Sequence, residues 1–189
     1  LLYIIATSRQ QSGELHGPVV GTLMTNLGLE HAFQKKSIPF MRAAVGDRYV
    51  LELLQQHGGI IGGESSGHML CLDRTTTGDG IVSVLQVLYE VVESGKTLAE
   101  LTAEVQRYPQ KMINVRLRDC KVKSTAIIES AVVDVEQRLG ERGRVLLRPS
   151  GTEPLVRVMV EGQDAGEVNA LTEELAEVVR REVGAITSL

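Results

Sequence analysis

The chain has 189 residues, of which 43% are hydrophobic and 23% are charged. These fractions are ordinary for globular proteins and exclude an intrinsically disordered chain. No stretch approaches the roughly 18 unbroken apolar residues that a membrane-spanning helix needs, so we expect a soluble protein with no membrane partner. The length suits one large domain or two small ones.

The charge balance is slightly acidic, with 24 acidic residues against 20 basic ones and a formal net charge of −4. A nucleic-acid partner is therefore not expected, and an aromatic fraction of 3% offers few stacking platforms for bases. Any anion that binds must be held by a local site. Cys71 and Cys120 lie 49 residues apart without metal or redox spacing, which predicts buried thiols in a reducing, cytoplasmic setting.

In chain order, the first half alternates between helical and strand patterns. The opening helix includes residues 1–8, and because it lacks both an initiator Met and a capping residue, we expect a truncated chain. The following elements are predicted as strand 17–23, helix 26–36, strand 39–45, helix 48–57, strand 60–63, strand 69–72, helix 81–93 and helix 98–105. Asp47 is the expected cap of the helix at 48–57, and Thr77 or Asp79 that of the helix at 81–93. This alternation predicts an α/β layered domain with a largely parallel sheet.

The pattern changes in the second half. The predicted elements there are strand 112–117, helix 124–139, strand 144–148, strand 155–161 and helix 168–183. The strands at 144–148 and 155–161 are close enough along the chain to form a hairpin, which favours a smaller α+β domain with an antiparallel sheet. We therefore expect two domains, residues 1–106 and residues 110–189.

The segment Arg-Pro-Ser-Gly-Thr-Glu-Pro at residues 148–154 joins the two strands of this hairpin. Strand alternation places Arg148 and Arg157 on the sheet face that points away from the core. Backbone N–H groups, two hydroxyls and an arginine at the base of a glycine-containing turn are suited to hold a phosphate. The alternative is a hairpin turn built from ordinary turn residues. The two flanking arginines favour phosphate, because the protein as a whole is acidic.

The segment Gly-Glu-Ser-Ser-Gly-His at residues 63–68 follows a predicted strand. Ligands of open α/β sheets gather where such strands end. A carboxylate, two hydroxyls and an imidazole in one short loop suit the hydroxyl groups of a sugar. The alternative is a polar hairpin in which Glu64 is solvated and His68 packs on the next strand.

The remaining polar segments offer no self-contained catalytic site. Residues 73–84 superficially resemble a calcium loop, but position twelve is Val84, where such a loop needs a carboxylate. The four histidines show no metal-ligand spacing. Nucleophile-elbow, Walker and dinucleotide-binding motifs are absent from the sequence.

Together, the two loops resemble those of the α-D-phosphohexomutases. Residues 63–68 are similar to the sugar-binding loop of that family and residues 148–154 to its phosphate-binding loop, in the same order and at a matching separation. The bacterial phosphoglucosamine mutase branch of the family is most similar at residues 45–50, 75–80 and 156–162. Ser65 departs from the branch, which more often has Gln or Asn there; that position varies within the family and indicates nothing about the substrate.

The resemblance implies that the chain is the C-terminal half of a four-domain enzyme. Residues 1–106 would be its third α/β domain, and residues 110–189 its fourth domain, an α+β fold like that of the TATA-binding protein. The phosphorylated catalytic serine and the Asp-Gly-Asp-Gly-Asp-Arg magnesium loop of the family belong to domains I and II. Neither segment occurs here, so the catalytic residues and the Mg²⁺ ligands are expected outside this chain, with domains I and II as its partners.

The activity implied is the interconversion of glucosamine 6-phosphate and glucosamine 1-phosphate, through a phosphoserine and a bisphosphate intermediate. This isomerase reaction would serve the synthesis of amino-sugar nucleotides and peptidoglycan precursors. The sugar-binding residues carried over are Glu64, Ser66 and His68. The phosphate-binding residues carried over are Arg148, Ser150, Gly151, Thr152 and Arg157.

Asp47 and Arg48 lie in another segment that matches the family and are further candidates for the site. Two other functions stay open from the sequence. One is a phosphoglucomutase or phosphomannomutase, because these enzymes share the two loops. The other is a non-catalytic module that binds sugar phosphates.

Overall fold

The computed structural model describes residues 1–117, 125–150 and 153–183. It divides into two compact units, Leu1–Arg107 and Tyr108–Leu189. Each unit has a hydrophobic core of its own. Within the described residues, no helix combines the length and the hydropathy that crossing a membrane requires.

A four-stranded sheet forms the centre of the first unit. Its strands are β1 (Val19–Thr22), β2 (Phe40–Ala43), β3 (Ile61–Gly63) and β4 (Met69–Cys71), in the spatial order β2-β1-β3-β4. Strand β1 is parallel to both β2 and β3, whereas β4 is antiparallel to β3. The largely parallel sheet is thus confirmed. Strand β4 differs because the loop before it is too short for the crossover that a parallel neighbour needs.

Helices cover both faces of this sheet. They are α1 (Leu2–Gln11), α2 (Leu27–Lys35), α3 (Asp47–His57), α4 (Gly80–Ser94) and the short α5 (Leu98–Leu101). On one face, Val50 and Leu54 of α3 pack with Val20 of β1. On the other face, Ile5 of α1 and Phe33 of α2 belong to a second cluster, which also includes a residue of α4. The expected α/β layered architecture is therefore present.

Helix α4 buries only a narrow strip of its surface. Its N-cap is Asp79, one of the two predicted caps, whose side chain accepts hydrogen bonds from the N–H groups of Ile81 and Val82. Ser83 and Val87 are its buried residues. Its large exposed apolar side chains are those of Ile81, Val84, Leu85, Leu88, Tyr89 and Val92. Because residues three and four apart share a helix face, these side chains form a continuous stripe.

The predicted helix at 98–105 is shorter in the structure. Helix α5 ends at Leu101, although Thr97 and Glu100 form a complete capping box at its start. None of its residues is buried. Within this helix Leu101 alone packs, partly buried, against the core of the first unit, which leaves little packing to hold a further turn.

The second unit is a three-stranded antiparallel sheet with two helices. Its strands are β5 (Gln110–Arg116), β6 (Gly143–Pro149) and β7 (Leu155–Gly162), in the order β5-β7-β6. Its helices are α6 (Ala126–Leu139) and α7 (Ala165–Val183), and a 3₁₀ turn covers Gly140–Arg142. Side chains of both helices form one core with Val156, Val158 and Val160. The hairpin, the α+β class and the predicted core face of β7 are confirmed.

Cys71, predicted to be buried, lies on β4 with a free thiol. Burial raises the pKa of this thiol, and the nearby carboxylate of Asp73 raises it further. The thiol is therefore poorly reactive, because the thiolate is the nucleophilic form. Cys120 lies outside the described residues.

Candidate functional site

The first candidate site lies at the edge where the parallel strands of the first unit end. Strands β2 and β3 flank β1 on opposite sides, so the order of the sheet reverses at β1. Such a reversal leaves a crevice at the carboxyl ends of the strands, where open α/β sheets bind ligands. The loops that follow β2 and β3 bring together the residues described next.

Glu64, directly after β3, is held by the backbone that follows β2. One of its carboxylate oxygens, Oε1, accepts a hydrogen bond of 2.9 Å from the N–H of Gly46. The loop closes on itself, because the backbone N–H of Glu64 donates to the carbonyl of His68 at 2.9 Å. This hydrogen bond restricts the orientation of the carboxylate, and Oε2, which accepts from no donor in the described ranges, can accept from a ligand hydroxyl. Gly46 has a φ of +128°, a backbone conformation that strongly favours glycine.

His68, at the other end of the loop, lies between two further segments. Its Nε2 is 3.4 Å from Oδ2 of Asp47. On another side it lies against the backbone at Gly78, where an added Cβ would come within 2.0 Å of the same nitrogen. Asp47, Ser66 and His68 are all exposed to solvent. Two separate segments, residues 46–47 and 64–68, therefore present polar groups at one edge of the sheet, and a third leaves room for the imidazole at Gly78.

Asp47 and Arg48, the two candidate residues in the segment 45–50, have different surroundings in the structure. The prediction that Asp47 caps α3 is wrong, because the helix begins at Asp47 with Gly46 as its N-cap and has no side-chain cap. Oδ1 of Asp47 accepts a hydrogen bond of 2.8 Å from the N–H of Arg48, and Oδ2 faces His68. Arg48 is not brought to this group: its Nε lies 2.8 Å from Oε1 of Glu52, one turn along α3, and the side chain is 81% exposed. That hydrogen bond raises the pKa of the Arg48 guanidinium above its usual range.

Sequence reasoning missed Gly46 and Gly78 as parts of this site. Gly46 contributes only its N–H and its backbone angles, and Gly78 only the space for an imidazole. The position of Gly46, next to the expected cap of a predicted helix, could have indicated its role. Nothing in the local sequence of Gly78 indicates the ring that packs on it, because that ring belongs to a residue ten positions earlier.

The second candidate site lies at the β6–β7 turn in the second unit. Arg148 on β6 and Arg157 on β7 are paired directly opposite each other in the sheet. Like charges in such a pair repel unless an anion lies between them. Ser150 begins the turn: its N–H donates to the carbonyl of Leu155 at 2.8 Å, and its Oγ accepts from the N–H of Glu153 at 3.3 Å. Gly151 and Thr152, also predicted to bind phosphate, lie outside the described residues.

Arg157 has an unsatisfied donor. Its Nε is buried and has no hydrogen-bond partner within the part of the chain that the structure describes. Leaving a buried donor unpaired costs about 1–3 kcal/mol, more when the group is charged. A bound phosphate would remove this cost through a charge-assisted hydrogen bond.

Neither unit offers a metal site among the residues described here. In those ranges, no group of three or more His, Cys, Asp or Glu side chains could hold a metal ion. The family resemblance implies Mg²⁺ ligands outside this chain, and no step of the chemistry is assigned to a metal on it.

Comparison with known proteins identifies the family of both units. The family profile "Phosphoglucomutase/phosphomannomutase, alpha/beta/alpha domain III" matches residues 1–108, and "Phosphoglucomutase/phosphomannomutase, C-terminal domain" matches residues 112–178. The chain belongs to the phosphoglucomutase/phosphomannomutase family. It comprises domain III followed by the C-terminal domain, domain IV, as the loop resemblance implied.

Within this family the chain is a homologue of phosphoglucosamine mutases. It is 57% identical to the phosphoglucosamine mutase of Methylococcus capsulatus over 182 residues, which cover 96% of this chain and 41% of that protein. It is also 57% identical to the phosphoglucosamine mutase of Alkalilimnicola ehrlichii over 189 residues, or 42% of that protein. The chain thus spans about two fifths of the length of the curated relatives it matches.

Solved structures share the fold. The N-acetylphosphoglucosamine mutase of Aspergillus fumigatus, in complex with GlcNAc-6P and magnesium, matches 95% of this chain with a TM-score of 0.78 and 20% identity. A phosphoglucomutase/phosphomannomutase family protein from Burkholderia thailandensis matches 97% of the chain with a TM-score of 0.71 and 14% identity. The chain covers 43% of each of these proteins. At these identities, the likeness concerns the fold alone.

Proposed function

We propose that this chain is the substrate-recognising half of a cytoplasmic phosphoglucosamine mutase, which interconverts glucosamine 6-phosphate and glucosamine 1-phosphate. The observation that carries the proposal is the 57% identity, over 96% of the chain, to a protein of that name. The two loops support it independently, because one offers a carboxylate held by a backbone N–H and the other two arginines without a carboxylate partner among the described residues. The product would feed the synthesis of amino-sugar nucleotides and peptidoglycan precursors.

In this proposal, domains I and II supply the phosphoserine and the Mg²⁺ site. The phosphoserine gives its phosphoryl group to one end of the sugar, and the bisphosphate turns around. The phosphate at the other end then returns to the serine. This sequence needs a site that holds the non-reacting phosphate in either orientation of the sugar, and a second site that recognises the ring.

The residues of this chain divide between those two tasks. Glu64 would accept hydrogen bonds from ring hydroxyls through the oxygen that Gly46 leaves available, with Ser66 beside it. His68 would support the loop or contact the ring, and Asp47 would hold its imidazole. The distal phosphate would be bound by Arg148, Ser150, Gly151, Thr152 and Arg157.

The role of Arg148 is tested in the full-length enzyme that contains this chain. Arg148→Lys keeps the positive charge but loses the planar fork that binds two phosphate oxygens. We expect KM for glucosamine 6-phosphate to rise about tenfold, the equivalent of about 1.4 kcal/mol, with a smaller fall in kcat. Arg180→Lys is a matched control, because Arg180 lies on the exposed side of α7 beside Glu177. An unchanged KM in Arg148→Lys would contradict the phosphate assignment.

The role of Glu64 is separated from that of the phosphate loop by a second variant. Glu64→Gln should weaken the binding of glucosamine phosphates but leave competition by inorganic phosphate unchanged. Both ligands would bind at the arginine site, but only the sugar phosphate has ring hydroxyls for Glu64. If both weaken equally, Glu64 acts through the structure of its loop and does not contact the ring. Turnover on glucose and mannose phosphates decides between the amino-sugar enzyme and the phosphoglucomutase or phosphomannomutase alternative.

The chain alone should bind sugar phosphates weakly and catalyse nothing, because nucleophile and metal ligands are absent from its sequence. Backbone amide shifts during titration with glucosamine 6-phosphate should appear around Ser150 before any appear at residues 64–67. A non-catalytic binding module would give the same result, and the sequence encoded upstream separates the two. Mutase activity from the purified 189-residue chain would refute this division of roles.

A further inference from the structure

The arginines that the structure describes in the second unit fall into two groups. Those paired with carboxylates are Arg138, Arg142, Arg144 and Arg180. Arg181, on the last turn of α7, also has a partner. Three others have no carboxylate within ion-pair distance in the described ranges: Arg116, Arg148 and Arg157. All three lie at the end of the sheet that carries the β6–β7 turn.

Arg116, the last residue of β5, belongs to the same face as the other two. Its neighbours in sequence, Val115 and Leu117, pack into the core with the helices, so strand alternation directs Arg116 to the opposite face, where it is exposed. This is also the face of Arg148 and Arg157. At one end, the face therefore carries three cations that have no carboxylate partner in the part of the chain that is described, in a protein whose net charge is −4.

The register of the sheet places Arg116 next to the turn. Arg116 pairs with Leu155 on β7, and the N–H of Ser150 donates to the carbonyl of that same leucine. Arg157 lies two residues further along β7, so it is a diagonal neighbour of Arg116, with about 7–8 Å between their backbones. Guanidinium groups on such neighbours can approach a single ligand, because an arginine side chain spans a comparable distance.

We propose that Arg116 is a third phosphate-binding arginine and that the three cations together select a doubly charged phosphate monoester. The inference rests on the proposed function of this site and adds a residue and a charge preference to it. A phosphate monoester takes its second negative charge with a pKa of about 6. Each further cation increases the preference for the dianion over the monoanion, because Coulomb attraction scales with the ligand charge.

The test measures the dissociation constant of glucosamine 6-phosphate for the 189-residue chain by calorimetry at pH 5.0 and pH 7.0, at low salt. Arg116→Gln should weaken binding about three- to tenfold at pH 7.0, where the dianion dominates. At pH 5.0 the loss should fall to about two- to threefold, because the ligand is then mostly a monoanion and half the charge gives half the attraction. Arg116→Lys should restore most of the affinity, and Arg180→Gln should bind like the unaltered chain.

Each outcome separates this inference from the proposed function. If Arg148→Gln loses affinity and Arg116→Gln does not, the third cation is refuted and the phosphate site stands. If neither variant changes the affinity, the phosphate site itself is refuted. Equal losses at both pH values in Arg116→Gln would refute the selection of a dianion. Circular dichroism of each variant establishes that the fold is retained, since Arg116 is exposed and its substitution removes no core contact.

Discussion

Replacing Arg144 with methionine should destabilise the second unit by about 3–5 kcal/mol, because it leaves a buried carboxylate without its cation. Arg144 on β6 and Glu161 on β7 are direct partners in the sheet, and Nε lies 2.7 Å from Oε2. The side chain of Glu161 is fully buried, whereas that of Arg144 is 17% exposed. The pair occupies the same sheet face as Arg148 and Arg157, at the opposite end.

The magnitude follows from two opposing terms. At 2.7 Å and an effective dielectric constant of about 20, the attraction between the two charges is about 6 kcal/mol. This attraction offsets a desolvation cost of several kcal/mol for each ion, so the intact pair contributes little net stability. Removing only the arginine takes away this attraction, whereas the desolvation cost of the buried glutamate stays. The double variant Arg144→Met, Glu161→Met removes both terms and should be close to neutral.

Native-state hydrogen exchange at the amides of β7 is the assay, because it reports the opening free energy of the second unit separately from that of the first. Arg180→Gln is the matched control: Arg180 pairs with Glu177 on an exposed helix surface, where such a pair contributes about 0.5 kcal/mol or less. A loss in Arg144→Met no larger than in this control would refute the reasoning. So would a double variant that is less stable than the single one.

Two further predictions concern the first unit. Burial, together with the hydrogen bond to Glu104, raises the pKa of Tyr3 to about 12. The pKa of tyrosine in the unfolded chain is about 10. The contribution of the protonated Tyr3 to stability is therefore complete below pH 10 and is lost between pH 10 and pH 12. Ultraviolet titration should therefore show one tyrosine ionising late, and Tyr3→Phe should remove that late step alone; its persistence in Tyr3→Phe would contradict the assignment. Gly28→Ala should cost at least about 1–3 kcal/mol in urea unfolding, because its Cβ would lie 1.7 Å from the carbonyl oxygen of Gln106. Gly80→Ala, which has nothing within 4 Å, should be neutral or slightly stabilising, and equal losses in the two variants would exclude the steric cause.

The helix caps show how far local sequence can predict such a site. Asp79 was one of two expected caps and does accept from the first N–H groups of α4, because the signal and the partner lie within three residues. Asp47 has the same type of signal, but its carboxylate faces His68, which is 21 positions away. Local propensity cannot distinguish these cases, because the competing partner is supplied only by the tertiary fold.

The sheet face that carries Arg148 and Arg157 could also be predicted only in part. Strand alternation was sufficient to place Arg148 and Arg157 on the outer face, because a regular strand alternates its side chains whatever its partners are. It could not show that the two residues are directly opposite each other, since the register depends on the hairpin turn. Arg116 was missed for the same reason: only the pairing of β5 with β7 brings it beside the turn.

The stripe on α4 has a consequence for how the chain behaves in solution. Its exposed apolar side chains include Ile81 and Val92, which are 72% and 76% exposed. Salts that are excluded from protein surfaces, such as sulfate, penalise apolar area in contact with water. Precipitation by ammonium sulfate should therefore begin at a lower concentration for this chain than for a variant with Leu85→Lys and Leu88→Lys, although neither residue contributes to the core.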